Sequence, residues 1–426
     1  MAKRGAVSFE HLGLNEMVLR NLKRLQFDVP SEVQQMCIPE ILQGKDVLGI
    51  ANTGSGKTAA FALPIVHMLS RDPYGVFALC LSPTRELAYQ IAEQFVAFSS
   101  GMTLSCEVII GGEDMIKQAA SLTRRPNVVI ATPGRLMEHF MQCLDIVRCF
   151  NKIKFLILDE ADRLLDSSFT SEMRFILSKL PSTRQTLMFS ATITKSLTAL
   201  QYVTGEDAFY YEDTAAGKTA TGCMQLYCFM PDRLKDIYLV TLIRTSIVFN
   251  SDRAIIFCGT VQRCELLAQM LCTLGMQAAS LHAAKRQKDR RATLNSFKSG
   301  LVRILVATDV AARGLDLPAI DLIVNYDVPT DARQYIHRVG RTARFHATGK
   351  AITMVTQYDV AKIKNIEQAI GKQLERFDLQ ELDDAKLVGE VFAAKRVAKL
   401  QMASPGGFDE KFRAKKSRLE RGQSTR

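Results

Sequence analysis

The run Ala51-Asn52-Thr53-Gly54-Ser55-Gly56-Lys57-Thr58 carries glycines, hydroxyls and a lysine in an order suited to holding phosphate. Gly54 and Gly56 let the backbone wrap closely enough for successive N–H groups to face phosphate oxygens. The N-terminus of a following helix adds about half a positive charge. Lys57 would reach the β- and γ-phosphates, and the Thr58 hydroxyl would ligate Mg²⁺. Thr53 and Ser55 complete the candidate nucleotide loop. The generic pattern G-x-x-x-x-G-K-[ST] asks for glycine where this chain has Ala51, but the positions that touch phosphate are kept. A Gly-rich strand-to-helix turn with no ligand is the alternative.

Other segments carry chemistry that such a loop would need. The apolar run Phe155 to Leu158 delivers Asp159-Glu160-Ala161-Asp162. Asp159 at a strand end can hold Mg²⁺ through water, and Glu160 can orient or deprotonate an attacking water. Leu187 to Phe189 delivers Ser190-Ala191-Thr192, two hydroxyls able to bond Asp162, although such residues also serve as turns and caps. Upstream, the amide of Gln34 can read both the donor and the acceptor edge of adenine, with Phe27 stacked on the ring; an ordinary helix start at Pro30 is the alternative. Three further segments, Pro83 to Leu87 with Arg85, Gly111-Gly112, and Thr132 to Leu136 with Arg135, offer Arg, hydroxyl and backbone N–H groups. These are what a protein uses to hold a nucleic-acid backbone without reading bases; helix caps with a surface Arg are the alternative.

The elements that must position these groups are visible as alternation. Phe77 to Leu81, Val128 to Ala131 and Phe155 to Leu158 are short continuous apolar runs, as in strands covered on both faces, and helical stretches such as Glu86 to Phe98 lie between them. This is βαβ alternation, and in a doubly wound parallel sheet ligands bind beyond the carboxyl ends of the strands. Alternation restarts with Ala254 to Phe257, Ile304 to Ala307, Leu322 to Val324 and Ala351 to Val355, without a second phosphate loop. That half holds His337-Arg338-Val339-Gly340-Arg341-Thr342-Ala343-Arg344, in which Arg341 and Arg344 are three apart and predicted to share a helical face. A solvated basic face is the alternative. Asp316, in the segment Ala307 to Asp316, can accept from ribose hydroxyls. Arginine fingers are worth about 10³–10⁵ in rate, enough to make hydrolysis depend on docking of the second half.

The predicted organisation is an N-terminal segment over residues 1–40, a first α/β domain over 41–213, a linker over 214–224, a second over 225–370 and a basic extension over 371–426. The extension has ten Lys or Arg against three Asp or Glu from Lys395 to Arg426. It reads as a solvated tail or as an auxiliary RNA grip or nuclear address. A formal charge of +11 over 426 residues favours an anionic partner such as nucleic acid. Ten cysteines without a C-x-x-C pair suit free thiols in a reducing compartment. No apolar run approaches the about 18 residues of a spanning helix, and residues 1–8 hold no signal-peptide core, so the chain is expected in the cytosol or nucleus, neither secreted nor membrane-bound.

Together these segments resemble the DEAD-box ATP-dependent RNA helicases over about residues 9 to 370, in family order. Phe9 matches the aromatic upstream of the Gln motif at Phe27 to Gln34. The phosphate loop matches with Ala first, and Phe257 to Thr260, Gln287 to Arg290, Ala307 to Asp316 and His337 to Arg344 complete the set. The resemblance implies two tandem RecA-like lobes that act as a monomer on ATP, Mg²⁺ and RNA. It implies RNA-backbone contacts from Arg85, Gly112, Thr132, Arg135, Arg290 and Thr308. Catalysis would fall to Lys57, Asp159, Glu160, Arg341 and Arg344, and coupling between lobes to Asp162, Ser190, Thr192 and His337. Asn52, Ala283 and Ala343 depart from the usual Gln, Gly and Gly. The tail and Ala343 are similar to nucleolar members that act in ribosome assembly, with pre-ribosomal proteins or helicase activators as partners. An ATP-gated RNA clamp, a non-enzymatic RNA-binding module and a small-molecule P-loop kinase are the rival readings.

Overall fold

The computed structural model describes residues 8–165, 169–192, 207–213, 223–248, 253–309, 317, 320–342, 349–379 and 385–414. The chain divides into two compact units. Met1–Lys218 with Gly314–Asp316 form the first, and Thr219–Arg313 with Leu317–Arg426 form the second.

The first unit is built on β1 (Val47–Ile50), β2 (Ala78–Leu81), β3 (Cys106–Ile109), β4 (Val128–Ala131), β5 (Phe155–Asp159), β6 (Gln185–Ser190) and β7 (Phe209–Glu212). They form one parallel sheet in the order β3-β4-β2-β5-β6-β1-β7. The continuous apolar runs have a direct cause, because successive side chains point to opposite faces and both faces are covered. Ala78, Cys80, Phe155, Ile157 and Phe189 pack with Phe61, Ile65, Ile91 and Phe95, from helices Lys57–Leu69 and Arg85–Phe98. Leu79, Leu81, Leu156, Leu158 and Met188 pack on the other side with Leu136, Phe140, Met173 and Ile176, from helices Pro133–Gln142 and Thr170–Lys179. Full burial of each such large apolar side chain is worth about 1.5–3 kcal/mol, and a one-residue slip would misplace these side chains, so burial helps to fix the register.

The second unit repeats the plan with β8 (Cys223–Phe229), β9 (Ala254–Cys258), β10 (Ala278–Leu281), β11 (Ile304–Thr308), β12 (Leu322–Asn325), β13 (Gly349–Val355) and β14 (Glu375–Arg376), in the order β10-β11-β9-β12-β13-β8-β14. All its pairings are parallel.

Each apolar run singled out from sequence coincides with a strand. Those passed over were β3, β7, β8, β10 and β14. β3, β7, β10 and β14 lie at sheet edges or carry small, half-buried residues, so their apolar signal is weak; β8 alternates buried and exposed positions instead of running apolar.

The segment expected as an extension from residue 371 is divided in the structure. β14 pairs with β8. Helix Ala385–Ala403 drives Leu387, Val391, Ala394 and Ala398 into the core of the second unit, while Arg396 and Lys399 stay exposed. Asp236, itself hydrogen-bonded to Tyr326 Oη at 2.7 Å, is paired with Lys395 of that helix, and Arg244 pairs with Glu390 at 3.3 Å. Basic composition hid an amphipathic helix whose buried positions recur every three or four residues.

Candidate active site

Because the strands of the first sheet are parallel, their carboxyl ends share one edge, and the strand order divides that edge in two. The neighbours β5, β6 and β1 bring together the acidic run, Ser190 to Thr192 and the phosphate loop. The neighbours β2, β4 and β3 bring together Arg85, Thr132 to Arg135, and Gly111-Gly112. Sequence order interleaves these groups; strand order sorts them.

In the loop, Gly54 and Gly56 have φ of 86° and 93°, a left-handed region that side chains rarely adopt, and Gly56 is the residue on which helix Lys57–Leu69 begins. Gly56 is constrained twice. Its carbonyl accepts from Gln34 Nε2 at 3.1 Å, and a Cβ there would collide with that amide. Gln34 Oε1 accepts from Ser31 N at 2.9 Å, so the buried amide expected to read adenine also braces helix Glu32–Leu42 against the loop. Phe27 is 39 % exposed, its ring edge-on to Phe98 at 5.7 Å, and so presents open aromatic surface. Phe9 instead lies in the core. Ala51 is fully buried and donates its N–H to Ser190 O at 3.0 Å, so its methyl group fills core space. Lys57 Nζ donates to the carbonyls of Ala51 and, at 3.1 Å, Asn52. Thr53, Ser55 and Thr58 are partly exposed around it.

Asp159 and Glu160 are both buried. Burial, then the neighbouring Glu160 carboxylate, push the Asp159 carboxyl up from 3.8 to about 7, against the opposing pull of Lys57 and of the Glu160 N–H that donates to Asp159 Oδ1 at 3.0 Å. Glu160 has φ 51°, and a left-handed non-glycine residue costs about 1–2 kcal/mol. Such strain collects at functional sites. Glu160 Oε2 and Ser55 Oγ are buried atoms with no hydrogen-bond partner among the described residues. Thr192 Oγ1 donates to Asp162 Oδ2 at 2.6 Å, as expected. Ser190 does not: its hydroxyl donates to Thr192 O at 2.8 Å and accepts from Thr192 N at 3.3 Å. The two hydroxyls therefore act in series, because Ser190 ends β6 pointing into the turn that carries Thr192.

On the other half of the edge, the Arg85 guanidinium lies close against the glycine pair; a Cβ on Gly111 would come within 2.9 Å of Nη2. Gly112 has φ 85°. Thr132 precedes the first turn of helix Pro133–Gln142 without a capping bond from its side chain, and donates its N–H to Ile109 O at 3.0 Å. Arg135 Nη1 donates to Glu113 O at 3.0 Å and to Gln118 Oε1 at 3.1 Å, and its Nε pairs with Glu138 at 3.0 Å.

In the second unit, helix Ala332–Val339 ends at Gly340, so Arg341 lies in the turn beyond it; Arg344 and Asp316 fall outside the described residues. The chain leaves the helix there because Thr342 bridges to Ile320. Arg341 is buried, with Nε donating to His337 O at 3.3 Å. Thr308 ends β11, and Arg290 and His337 are buried.

The arginine that sequence reasoning passed over is Arg338. It grips Asp309 with two hydrogen bonds of 2.6 and 2.7 Å, donates to Asn325 Oδ1 at 3.2 Å and Asp327 O at 2.7 Å, and lies 5.0 Å over the Phe257 ring. It sat in plain view within the basic cluster, but its partners lie on other strands. His282, likewise passed over, meets Glu265 at 2.9 Å. Burial raises the Glu265 carboxyl, but hydrogen bonds from His282, Ser280 and Gln269 outweigh it and bring it down to about 2.

The DEAD/DEAH box helicase family profile matches residues 31–200, and the helicase conserved C-terminal domain profile matches residues 235–346. The DEAD-box ATP-dependent RNA helicase 36 of Arabidopsis thaliana is 46% identical over 408 residues, spanning 96% of this chain and 83% of that protein. Among solved structures, Mss116p lacking its NTE and C-tail, bound to ssRNA and AMP-PNP, superposes with a TM-score of 0.82 at 27% identity, over 92% of this chain and 83% of that one. S. cerevisiae Dbp5 bound to RNA and ADP BeF3 gives 0.79 at 26% identity, over 92% and 99%.

Proposed function

The chain belongs to the DEAD-box ATP-dependent RNA helicases, and from that premise we propose that its first unit holds Mg-ATP on the β5-β6-β1 side of the sheet edge and the RNA backbone on the β3-β4-β2 side. The observation that carries this reading is the strand order, which separates the acidic and phosphate-binding groups from the Arg, Gly and Thr groups along one edge.

The residues on the ATP side fit both ligands. Gly54 and Gly56 shape a backbone cradle, and Lys57 brings a positive charge to it. Asp159 and Thr58 offer the oxygen ligands that Mg²⁺ takes, and the buried, unbonded Glu160 Oε2 is placed to accept a proton from water or orient it. Bound Mg²⁺ would neutralise charge developing on the phosphates. Asp159 would enter the site as the carboxylate, giving up its proton to do so. Gln34 and Phe27 select adenine. Arg341 and Arg344 supply further charge to the phosphate in the transition state.

RNA is held through phosphate and sugar by Arg85, Gly112, Thr132, Arg135, Arg290 and Thr308, so binding has weak sequence preference and falls with salt. Asp162, Ser190, Thr192 and His337 couple the state of the nucleotide to the grip on RNA. The duplex is opened locally, and hydrolysis releases the strand. Ribosomal RNA precursors in the nucleolus are the proposed setting, and pre-ribosomal proteins or activators the proposed partners.

ATP turnover with and without single-stranded RNA, repeated with DNA, tests the reading. Turnover stimulated by RNA and abolished by Glu160→Gln is the expected result; equal turnover with no polynucleotide overturns it. Strand displacement measured beside turnover separates unwinding from clamping.

A further inference from the structure

One buried amide ties together the pieces of the RNA-facing half of the sheet edge. Gln118 lies in helix Met115–Thr123 and is 6 % exposed. Its Nε2 donates to Ile110 O at 3.0 Å, on the residue immediately before Gly111-Gly112. Its Oε1 accepts from Arg135 Nη1 at 3.1 Å and lies 3.3 Å from His139 Nε2.

The orientation of this amide follows from its partners. A guanidinium can only donate and a carbonyl can only accept, so the oxygen must face Arg135 and the nitrogen must face Ile110. His139 Nε2 must then carry its proton and donate to the same oxygen. Burial first, then the nearby Arg135 charge, lower the basicity of His139, in keeping with a neutral imidazole in that tautomer. The same Arg135 Nη1 also reaches Glu113 O at 3.0 Å, and Tyr89 Oη bonds the Glu113 carboxylate, so the loop after β3 is braced from both sides. Nη1 is held by Gln118 and Glu113, and Nε lies 3.0 Å from Glu138 Oε2 as an ion pair, so the guanidinium is placed from two neighbouring elements.

We infer that Gln118 is a positioning residue for RNA: a single side chain that holds the glycine loop after β3 and the Arg135 guanidinium in the relative placement that two successive backbone phosphates require. This rests on the reading of Arg135 and Gly112 as RNA contacts. A Gln replaced by an apolar residue of equal length leaves the Ile110 carbonyl and the Arg135 Nη1 short of a partner. The expected loss is about tenfold or more in apparent RNA affinity.

The test is RNA-stimulated ATP turnover of the full chain as a function of poly(U) concentration, for Gln118→Met, Arg135→Ala and the double variant. Gln118→Met should raise the KM for RNA about tenfold and keep kcat at saturating RNA, and adding it to Arg135→Ala should raise KM little further. Independent, multiplicative effects in the double variant overturn the inference, as does an unchanged KM for Gln118→Met. An unchanged KM for Arg135→Ala instead overturns the RNA reading of this face. If Gln118→Met melts below the assay temperature, Gln118→Glu decides. It keeps an acceptor for Arg135 but sets a carboxylate oxygen against the Ile110 carbonyl, so a KM raised a few fold supports the inference and an unchanged one sinks it.

Discussion

Replacing Asp159 by asparagine should make the protein more stable and inactive at the same time. The carboxyl is buried beside Glu160, and its pKa is pushed up from 3.8 to about 7. Between those two values the folded protein holds a proton that the unfolded chain has released, so stability falls as pH rises through the window and the loss is complete above about pH 7. At about 1.4 kcal/mol per tenfold change in proton affinity, the displacement from 3.8 to about 7 amounts to roughly 4 kcal/mol of stability forgone at pH 8. Asparagine keeps the oxygen that accepts from Glu160 N and removes the charge. Urea unfolding in Mg²⁺-free and nucleotide-free buffer, followed at pH 5 and pH 8, is the assay. Asp159→Asn should gain several kcal/mol over the parent at pH 8, the gap should shrink toward pH 5, and ATP turnover should be lost at both. A variant less stable than the parent at pH 8, or a gap that does not change with pH, would refute the argument that this carboxylate is held in the fold against its own solvation.

Other outcomes follow from the same geometry. Gly56→Ala combines a left-handed backbone with a collision against Gln34, for a cost of about 2–3 kcal/mol and a raised KM for ATP; urea unfolding and a nucleotide titration read both. Arg338→Ala leaves the partly buried Asp309 carboxylate without its two hydrogen bonds and should destabilise the second unit by about 3–5 kcal/mol, seen as an earlier unfolding transition for that unit. Truncation after residue 384 strips Leu387, Val391, Ala394 and Ala398 from the core of the second unit, so the product should aggregate or bind hydrophobic dyes.

Much was legible in the chain itself, and for local reasons. A left-handed turn needs glycine, so Gly54 and Gly56 announce the tight loop before helix Lys57–Leu69 within eight residues. A strand buried on both faces must be apolar throughout, so β2, β4, β5, β9, β11 and β12 announce themselves, and Asp159, Ser190 and Thr308 stand where such runs stop. What tertiary structure alone decided was partnership. Ser190 serves Thr192 rather than Asp162, Arg338 finds Asp309, Asn325 and Phe257, and Gln118 joins Ile110 to Arg135. Arg341 was placed on a helix by its spacing, but the bridge from Thr342 to Ile320 ends that helix first. The basic extension concealed a core helix because charge dominates composition while burial depends on which face packs against helices Lys235–Val248 and Val261–Thr273. Turn geometry and apolar continuity are properties of a few neighbouring residues, whereas a hydrogen-bond partner is chosen by strand order, which sets side by side residues that the chain keeps far apart.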